Sequence, residues 1–456
     1  MIRDGLLAIG LVAAIFTQLR VSGAPIGPGE VSLLLWLLLS LVGSAHRLNA
    51  PLSSASQRLL TFWALFAAGL CVGLITAYVV GERNDPTLMR HDTIAFALVA
   101  AISLMAAIQH DAPRRLNRAA WLAAAFGSIC LGVQLAQAFG ALPTWGLEVW
   151  YYDRLCGWTT NANQLALLCL ILFFLSLHLL ETAASGSAKL AAISLALLPL
   201  MAGLLTKSDT FLLSLVAGLL VLSAIRLWHW LRTPSGAGTR SSAGMLSVLA
   251  CLAMLLASAP LVYSLVTSET QTLRSVDSRT KVIERDVAYR SQALMRALDR
   301  SVESGFLGLG PGPHLMRPAN LREPRYEAYP NFEVHNTLAD VMLQGGLLAV
   351  IALVWLGGKA ITGTMSIGLT YLPTLLAAVA TFSMTHFIFR HPIVWFVLTL
   401  SLVLGSYARP LVLRRQTPRP PKVMEDRILR MTRVGLQGVG GKRRVKATGR
   451  RSAGSH

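Results

Sequence analysis

The sequence predicts an all-α integral membrane protein, with about 12 transmembrane helices and one large hydrophilic segment that contains amphipathic helices. Three observations predict it. Mean hydropathy is +0.55. Only 14% of the 456 residues are charged. Apolar runs of about 18–23 residues recur along the chain, the length that spans a hydrocarbon core roughly 30 Å thick. Length alone would allow two or three soluble domains, but such runs have no place in water-soluble cores. Of the five cysteines, Cys71, Cys130, Cys156, Cys169 and Cys251, four lie inside apolar runs, and none forms a CxxC or metal-type pair. A disulfide framework is therefore not expected.

The apolar runs place helices at roughly 5–20, 30–46, 58–80, 92–110, 119–142, 162–181, 188–206, 209–230, 244–266, 336–357, 370–389 and 392–408. The first run, from Gly5 to Phe16 behind Arg3, has small residues near a signal-like cleavage point at Val21-Ser22-Gly23-Ala24. Because apolar runs keep following, it reads as a membrane helix and not as a removed leader. Loop cations set the orientation. Loops with Arg47 and Arg58, with Arg114, Arg115 and Arg118, with Lys189, with Arg226, Arg232 and Arg240, and with Lys359 go to the cytoplasm. Both termini are then cytoplasmic, and residues 143–161 and 267–335 fall on the other side. The chain divides into helices 1–9 (1–266), a loop with surface helices (267–335), helices 10–12 (336–408) and a basic tail (409–456). The formal net charge is +19, with much of the excess in that tail. We read the tail as a polybasic segment held against anionic lipid, not as a nucleic-acid arm.

Polar residues concentrate on the non-cytoplasmic side. Trp145, Trp150, Tyr151, Tyr152 and Trp158 form either an interfacial aromatic belt or a platform for sugar rings. Arg154 is either an anion ligand or a partner of Asp153. Lys207 sits in the short turn at 204–211, as an anion ligand or a helix-end anchor. In 267–303, Val282, Ile283, Val287, Leu294, Leu298 and Val302 recur at helical spacing, as in a helix lying on a membrane surface or over a cavity. Arg279 and Arg290 share one face of it, and Arg285, Arg296 and Arg300 another. Arg290 could serve only as an i,i+4 partner of Asp286.

The segment 308–347 is the centre of the reading. Gly308, Gly310, Pro311 and Gly312 suit a tight turn. His335-Asn336-Thr337 then opens a new apolar helix, with Asn336 or Thr337 as N-cap. His335 at the mouth of that helix is either a capping residue or a base that titrates near neutral pH. His386, Arg390 and His391, in the turn between the last two helices, either line the same cavity or are interfacial. Glu323 and Glu327 read as local ion-pair partners.

These motifs resemble the O-antigen ligase / O-antigen polymerase superfamily of bacterial polytopic membrane glycosyltransferases, and most of all its O-antigen ligases. The resemblance rests on Gly308, Gly310 and Gly312, then His335-Asn336-Thr337-Leu338, then Gly345-Gly346, with Tyr289-Arg290 upstream. Further upstream, Arg154-Leu155-Cys156-Gly157 and Asn161-Ala162-Asn163 resemble the family's Arg-x-x-Gly and Asn-Pro-Asn, with Ala162 in place of proline. It spans about 145–410. At 208–209 this chain has Ser-Asp where the family has Ser-Arg, so Lys207 has to supply that cation or the position is unused.

The resemblance implies a donor glycan on undecaprenyl diphosphate, a lipid A-core acceptor, a setting in the bacterial inner membrane and a site facing the periplasm. It implies His335 as general base, Arg154, Arg290 and Lys207 as diphosphate ligands that stabilise the leaving group, and Asn163, Gly308, Gly310 and Asn336 in support. Direct displacement inverts the anomeric centre. No metal or other cofactor is expected, because arginines stand in for the divalent ion and no Asp-x-Asp motif is present. The same motifs serve an O-antigen or exopolysaccharide polymerase or a protein O-oligosaccharyltransferase. A lipid-linked glycan transporter is the non-enzymatic alternative, and it predicts internal repeats that this sequence does not display.

Overall fold

The computed structural model describes residues 1–21, 26–44, 51–82, 85–232, 291–316 and 331–407. The helices are α1 (Ile2–Ala13), α2 (Pro28–Ser44), α3 (Ser54–Val79), α4 (Pro86–Ile108), α5 (Ala112–Ala138), α6 (Ala162–Thr182), α7 (Gly186–Leu205), α8 (Asp209–Arg232), α9 (291–303), α10 (Thr337–Ser366), α11 (Tyr371–Ser383) and α12 (Pro392–Tyr407). Two antiparallel strand pairs, β1 (Trp150–Tyr151) with β2 (Arg154–Leu155) and β3 (Leu315–Met316) with β4 (Asn331–Phe332), lie in the loops. Seven helices, α3 to α8 and α10, are long and apolar enough to cross a membrane, and α2, α11 and α12 are shorter apolar helices. This is an all-α membrane protein. The expected helix at 244–266, the segment 267–290 with Arg290, the segment 317–330 and the basic tail lie outside the described residues.

The bundle is built around α6, whose side chains from Leu165 to Leu175 are buried all round. A helix apolar on every face belongs in a core surrounded by other helices. Loops joining alternate helices meet at one end of the bundle, which bears His335 and which we term the upper end. Apolar contact alone does little to associate helices in lipid, so close backbone approach carries the packing. A Cβ on Gly69 of α3 would stand 2.4 Å from the Gly345 oxygen of α10. On Gly405 of α12 it would stand 2.8 Å from Gly363 of α10.

The feature that most shapes the upper end is a break in α10. Gly346 has φ 69° and ψ −170°, a conformation open in practice only to glycine. The break lies nine residues into α10, roughly 14 Å along its axis, and frees backbone groups that need partners at that depth. The glycine-rich turn supplies them. Leu309 N donates to Leu343 O (2.6 Å), Gly310 N to Gln344 O (2.9 Å), and Leu347 N to Phe306 O (2.9 Å). Gly308, Gly310 and Gly312 all have positive φ, at 85°, 89° and 115°. Gly73 of α3 lets the turn approach, since a Cβ there would stand 2.5 Å from Gly310 N.

Two boundaries differ from expectation for identifiable reasons. Helix α5 starts at Ala112, seven residues early, because Arg115 and Arg118 are helical and bond the buried Asp4 carboxylate (2.6 and 3.1 Å). Helix α11 ends at Ser383, because residues 384–391 cross the upper end as a loop. In α9 the buried face is Ala293, Ala297 and Ser301, while Leu294, Leu298 and Val302 point away from the protein. Of the expected apolar stripe these three residues face outward, and Val282, Ile283 and Val287 lie outside the described residues.

Candidate active site

Arg154 is presented by a two-residue hairpin whose tip is Tyr152 and Asp153. The loop holding this hairpin is fixed by three glutamines. Gln18 Nε2 donates to the carbonyls of Glu148, Gly157 and Thr159 (2.9, 3.1 and 2.7 Å). Gln134 Oε1 accepts from Trp158 N (3.0 Å), and Gln137 binds Trp158 Nε1 and Pro143 O. Gly157 is required there: its φ is +57°, and a Cβ would lie 1.9 Å from Gln134 Oε1. Trp150 and Trp158 are thus part of the framework, while Trp145, Tyr151 and Tyr152 project outward. Cys156 donates to Glu148 O (3.0 Å), and burial pushes its thiol pKa up.

So held, Arg154 reaches α6 and α7. Its Nε donates to Thr206 O (3.1 Å) and its Nη2 to Asn163 Oδ1 (3.0 Å). Asn163 Oδ1 also accepts from Ser208 Oγ (2.8 Å) at the start of α8. Ala162 is the first residue of α6, capped by Asn161. Proline is tolerated at that position because its N–H has no helical partner, so the departure from Asn-Pro-Asn leaves the geometry intact. Asp153 does not pair with Arg154. It holds Lys207 Nζ at 2.9 Å, with both groups largely exposed. The turn therefore brings Lys207 and Arg154 to the same corner.

The second corner is built on the start of α10. Asn336 is the N-cap, accepting from Ala339 N (3.1 Å) and donating to Met384 O (2.9 Å). Thr337 donates to His386 O (2.6 Å) and accepts from Ile388 N (3.0 Å), tying the 384–391 loop to the same helix end. His335 is exposed, has φ 61°, and its ring lies 6.5 Å from that of His386. The first turn of α8 joins the two corners. Thr210 Oγ1 lies 2.9 Å from Thr385 Oγ1 and 3.4 Å from His386 Nε2, two residues after Ser208. Polar side chains therefore line up from the hydrogen-bonded set Arg154, Asn163 and Ser208 to the neighbouring Thr210 and His386, with the His335 ring 6.5 Å beyond.

Of the expected site residues, the structure brings together Arg154, Asn163, Lys207, Asn336 and His335, with Gly308 and Gly310 bracing α10 below them. Arg290 is outside the described residues. The other two polar residues of the last turn go elsewhere. Arg390 bonds Asp92 of α4 and Glu333 through separate nitrogens. Burial opposes its charge, but Glu333 and Asp92 outweigh that and hold its pKa above the ordinary value. For His391, burial first, then Arg390 and Arg20, push the pKa down to about 4. His314, behind the glycine turn, lies 2.8 Å from Gly310 O through Nε2, and burial pushes its pKa down to about 4. Among the described residues no three His, Cys, Asp or Glu side chains converge as metal ligands. Sequence reasoning missed Gln18, Gln134, Asp92 and Glu333, because nothing in their local pattern marks partners that lie far away along the chain.

Fold and site together define a polytopic helical membrane protein with cationic, amide and imidazole side chains gathered at one end. The O-antigen ligase family model matches residues 191–354, so over that stretch the chain is similar to the O-antigen ligase superfamily. The match covers Lys207, the glycine turn, His335-Asn336 and the α10 break. No curated protein matches the sequence.

Proposed function

We propose that the protein is an O-antigen ligase, transferring O-antigen polysaccharide from undecaprenyl diphosphate to the lipid A-core. In this reading the upper end faces the periplasm of the bacterial inner membrane, about 12 helices span it, and both termini are cytoplasmic. The outward apolar stripe of α9, Leu294, Leu298 and Val302, rests on the bilayer surface.

The observation that carries the reading is the line of polar side chains from Arg154 to His335, which supplies a cation and a base to one surface. Protein acceptors engage two of the Arg154 guanidinium nitrogens, and the diphosphate takes the remaining edge. Lys207 adds a second positive charge. Its pair with Asp153 is exposed, and such pairs are worth about 0.2–1 kcal/mol, so a diphosphate can displace it. Arg290 is the third proposed ligand.

His335 accepts the proton of the acceptor hydroxyl, and the oxygen attacks the anomeric carbon from the face opposite the leaving group. The glycosidic C–O bond breaks with its electron pair going to undecaprenyl diphosphate, whose charge the cations stabilise. The anomeric centre inverts, and no metal or other cofactor takes part. The family match at residues 191–354 also fits a polymerase or a protein O-oligosaccharyltransferase, which differ in acceptor.

The test mixes purified protein with undecaprenyl diphosphate-linked glycan and lipid A-core in EDTA, comparing wild type with His335→Ala. Transfer to lipid A-core by wild type and none by the folded variant is expected. Longer chains on the polyprenyl carrier, with none on lipid A-core, overturn the ligase reading in favour of a polymerase. Equal transfer by both proteins removes His335 from the mechanism.

A further inference from the structure

Beneath His335 lies a charged cluster that the proposed chemistry does not use. Arg390 holds Asp92 with Nη1 and Glu333 with Nη2, and its guanidinium carbon sits 4.9 Å above the Phe387 ring. Asp92 is almost wholly buried in α4, and His91 Nδ1 lies 3.2 Å from its carboxylate. Glu333 is two residues before His335. The intervening Val334 is buried, and its N–H donates to Asp340 Oδ1 of α10 at 2.9 Å. Phe332 is buried as well, with Leu315 and Leu343.

His335 therefore emerges from a segment pinned residue by residue, and it has positive φ. A side chain with a Cβ keeps that conformation only where its surroundings over-determine it. Cohesion of the helices does not call for the clamp, since well-packed apolar residues usually stabilise a core as well as a buried ion pair does. What the clamp adds is geometry. The planar, two-pronged guanidinium fixes Glu333 relative to α4 in a way a lysine cannot.

We propose that Arg390, clamped between Asp92 and Glu333, is a positioning residue that fixes His335 for the transfer step. This rests on His335 being the base. Displacement of about 1 Å at such a group costs on the order of a hundredfold in rate, so the clamp acts on kcat and leaves donor binding at Arg154 and Lys207 untouched.

The test uses Arg390→Lys, which keeps the charge but loses the fork, and Glu333→Gln, which keeps Arg390 on Asp92 and loosens one arm. Two readouts are taken on the full chain. One is the rate at which diethyl pyrocarbonate modifies His335, relative to exposed His110 at the opposite end, measured by mass spectrometry. The other is kcat and KM for glycan transfer, with melting temperature as a control. Severalfold faster modification of His335 in both variants is expected, with kcat falling at least about tenfold and KM near wild type, all measured below the melting temperature of each variant, which falls because one arm of a buried ion pair is lost. Unchanged modification of His335 overturns the proposal, as does unchanged kcat or a loss confined to KM. A wild type that transfers no glycan overturns the functional reading instead, and the modification rates then decide alone whether Arg390 holds His335.

Discussion

Arg154 and Asn163 share a hydrogen bond of 3.0 Å, and the same Asn163 oxygen takes the Ser208 hydroxyl at 2.8 Å. One amide oxygen thus sets both the direction of the guanidinium and the seating of α8 beside it. Asn163→Ala removes the acceptor for both. A hydrogen bond to a charged group is worth about 1.5–3 kcal/mol, so KM for the lipid-linked glycan should rise about tenfold or more. Ser208→Ala leaves the Arg154 bond in place and should raise it less. Steady-state kinetics on the two variants checks the order, and equal effects would mean that Asn163 serves helix packing rather than Arg154.

The break in α10 makes a stability prediction. Gly346→Ala puts a Cβ into a glycine-only conformation, 2.6 Å from the backbone of Leu307, and should cost about 2 kcal/mol or more. Gly132→Ala is the control. Its Cβ meets nothing within 4 Å inside α5, and alanine is favoured over glycine in a helix by about 0.5–1 kcal/mol. Melting in detergent should drop sharply for the first variant and hold or rise for the second.

Much of the fold was legible because membrane helices announce themselves by length and apolarity. Helix α6, expected at 162–181, is Ala162–Thr182. What was not legible is what charge does over distance. Arg114, Arg115 and Arg118 read as a loop, yet they lie in the first turns of α5, where Asp4, more than a hundred residues away, takes two of them. Local patterning cannot foresee that partner. The site divides the same way. Arg154, Asn163, His335 and Asn336 were singled out through their motifs, and the structure places them at the same end of the bundle. The glycine turn was readable as a turn, but its task of satisfying broken hydrogen bonds in α10 was not. Arg390 was readable as a cation at the right end, but not as one already committed to Asp92 and Glu333.

Acid should weaken the fold through His314. The group is buried and its pKa is lowered to about 4, with desolvation as the main cause, while an unfolded histidine titrates near 6.5. Between those values the unfolded chain binds the proton and the folded one does not, so stability falls as pH drops from about 6.5 towards 4. Above 6.5 both states are neutral and the effect vanishes. His314→Gln does not titrate and can still donate to Gly310 O. Its melting temperature should therefore fall less steeply than that of wild type over that window, and a parallel fall would place the acid sensitivity elsewhere, with His391 the next candidate.

The exposed pair of Lys207 and Asp153 separates two roles for the lysine. If Lys207 only anchors the hairpin, Asp153→Asn and Lys207→Met break the same contact and should act alike. As a diphosphate ligand, Lys207 is held back by Asp153, which competes with the substrate for it. Asp153→Asn should then lower KM for the lipid-linked glycan or leave it unchanged, while Lys207→Met raises it. Lys207→Arg offers a forked cation near the place where the family carries its arginine, and should lower KM relative to wild type because a fork meets phosphate oxygens in pairs. Steady-state kinetics on the three variants at fixed ionic strength decides the matter, since exposed charge effects are screened by salt. We expect opposite signs for Asp153→Asn and Lys207→Met, and equal signs would return Lys207 to the role of an anchor.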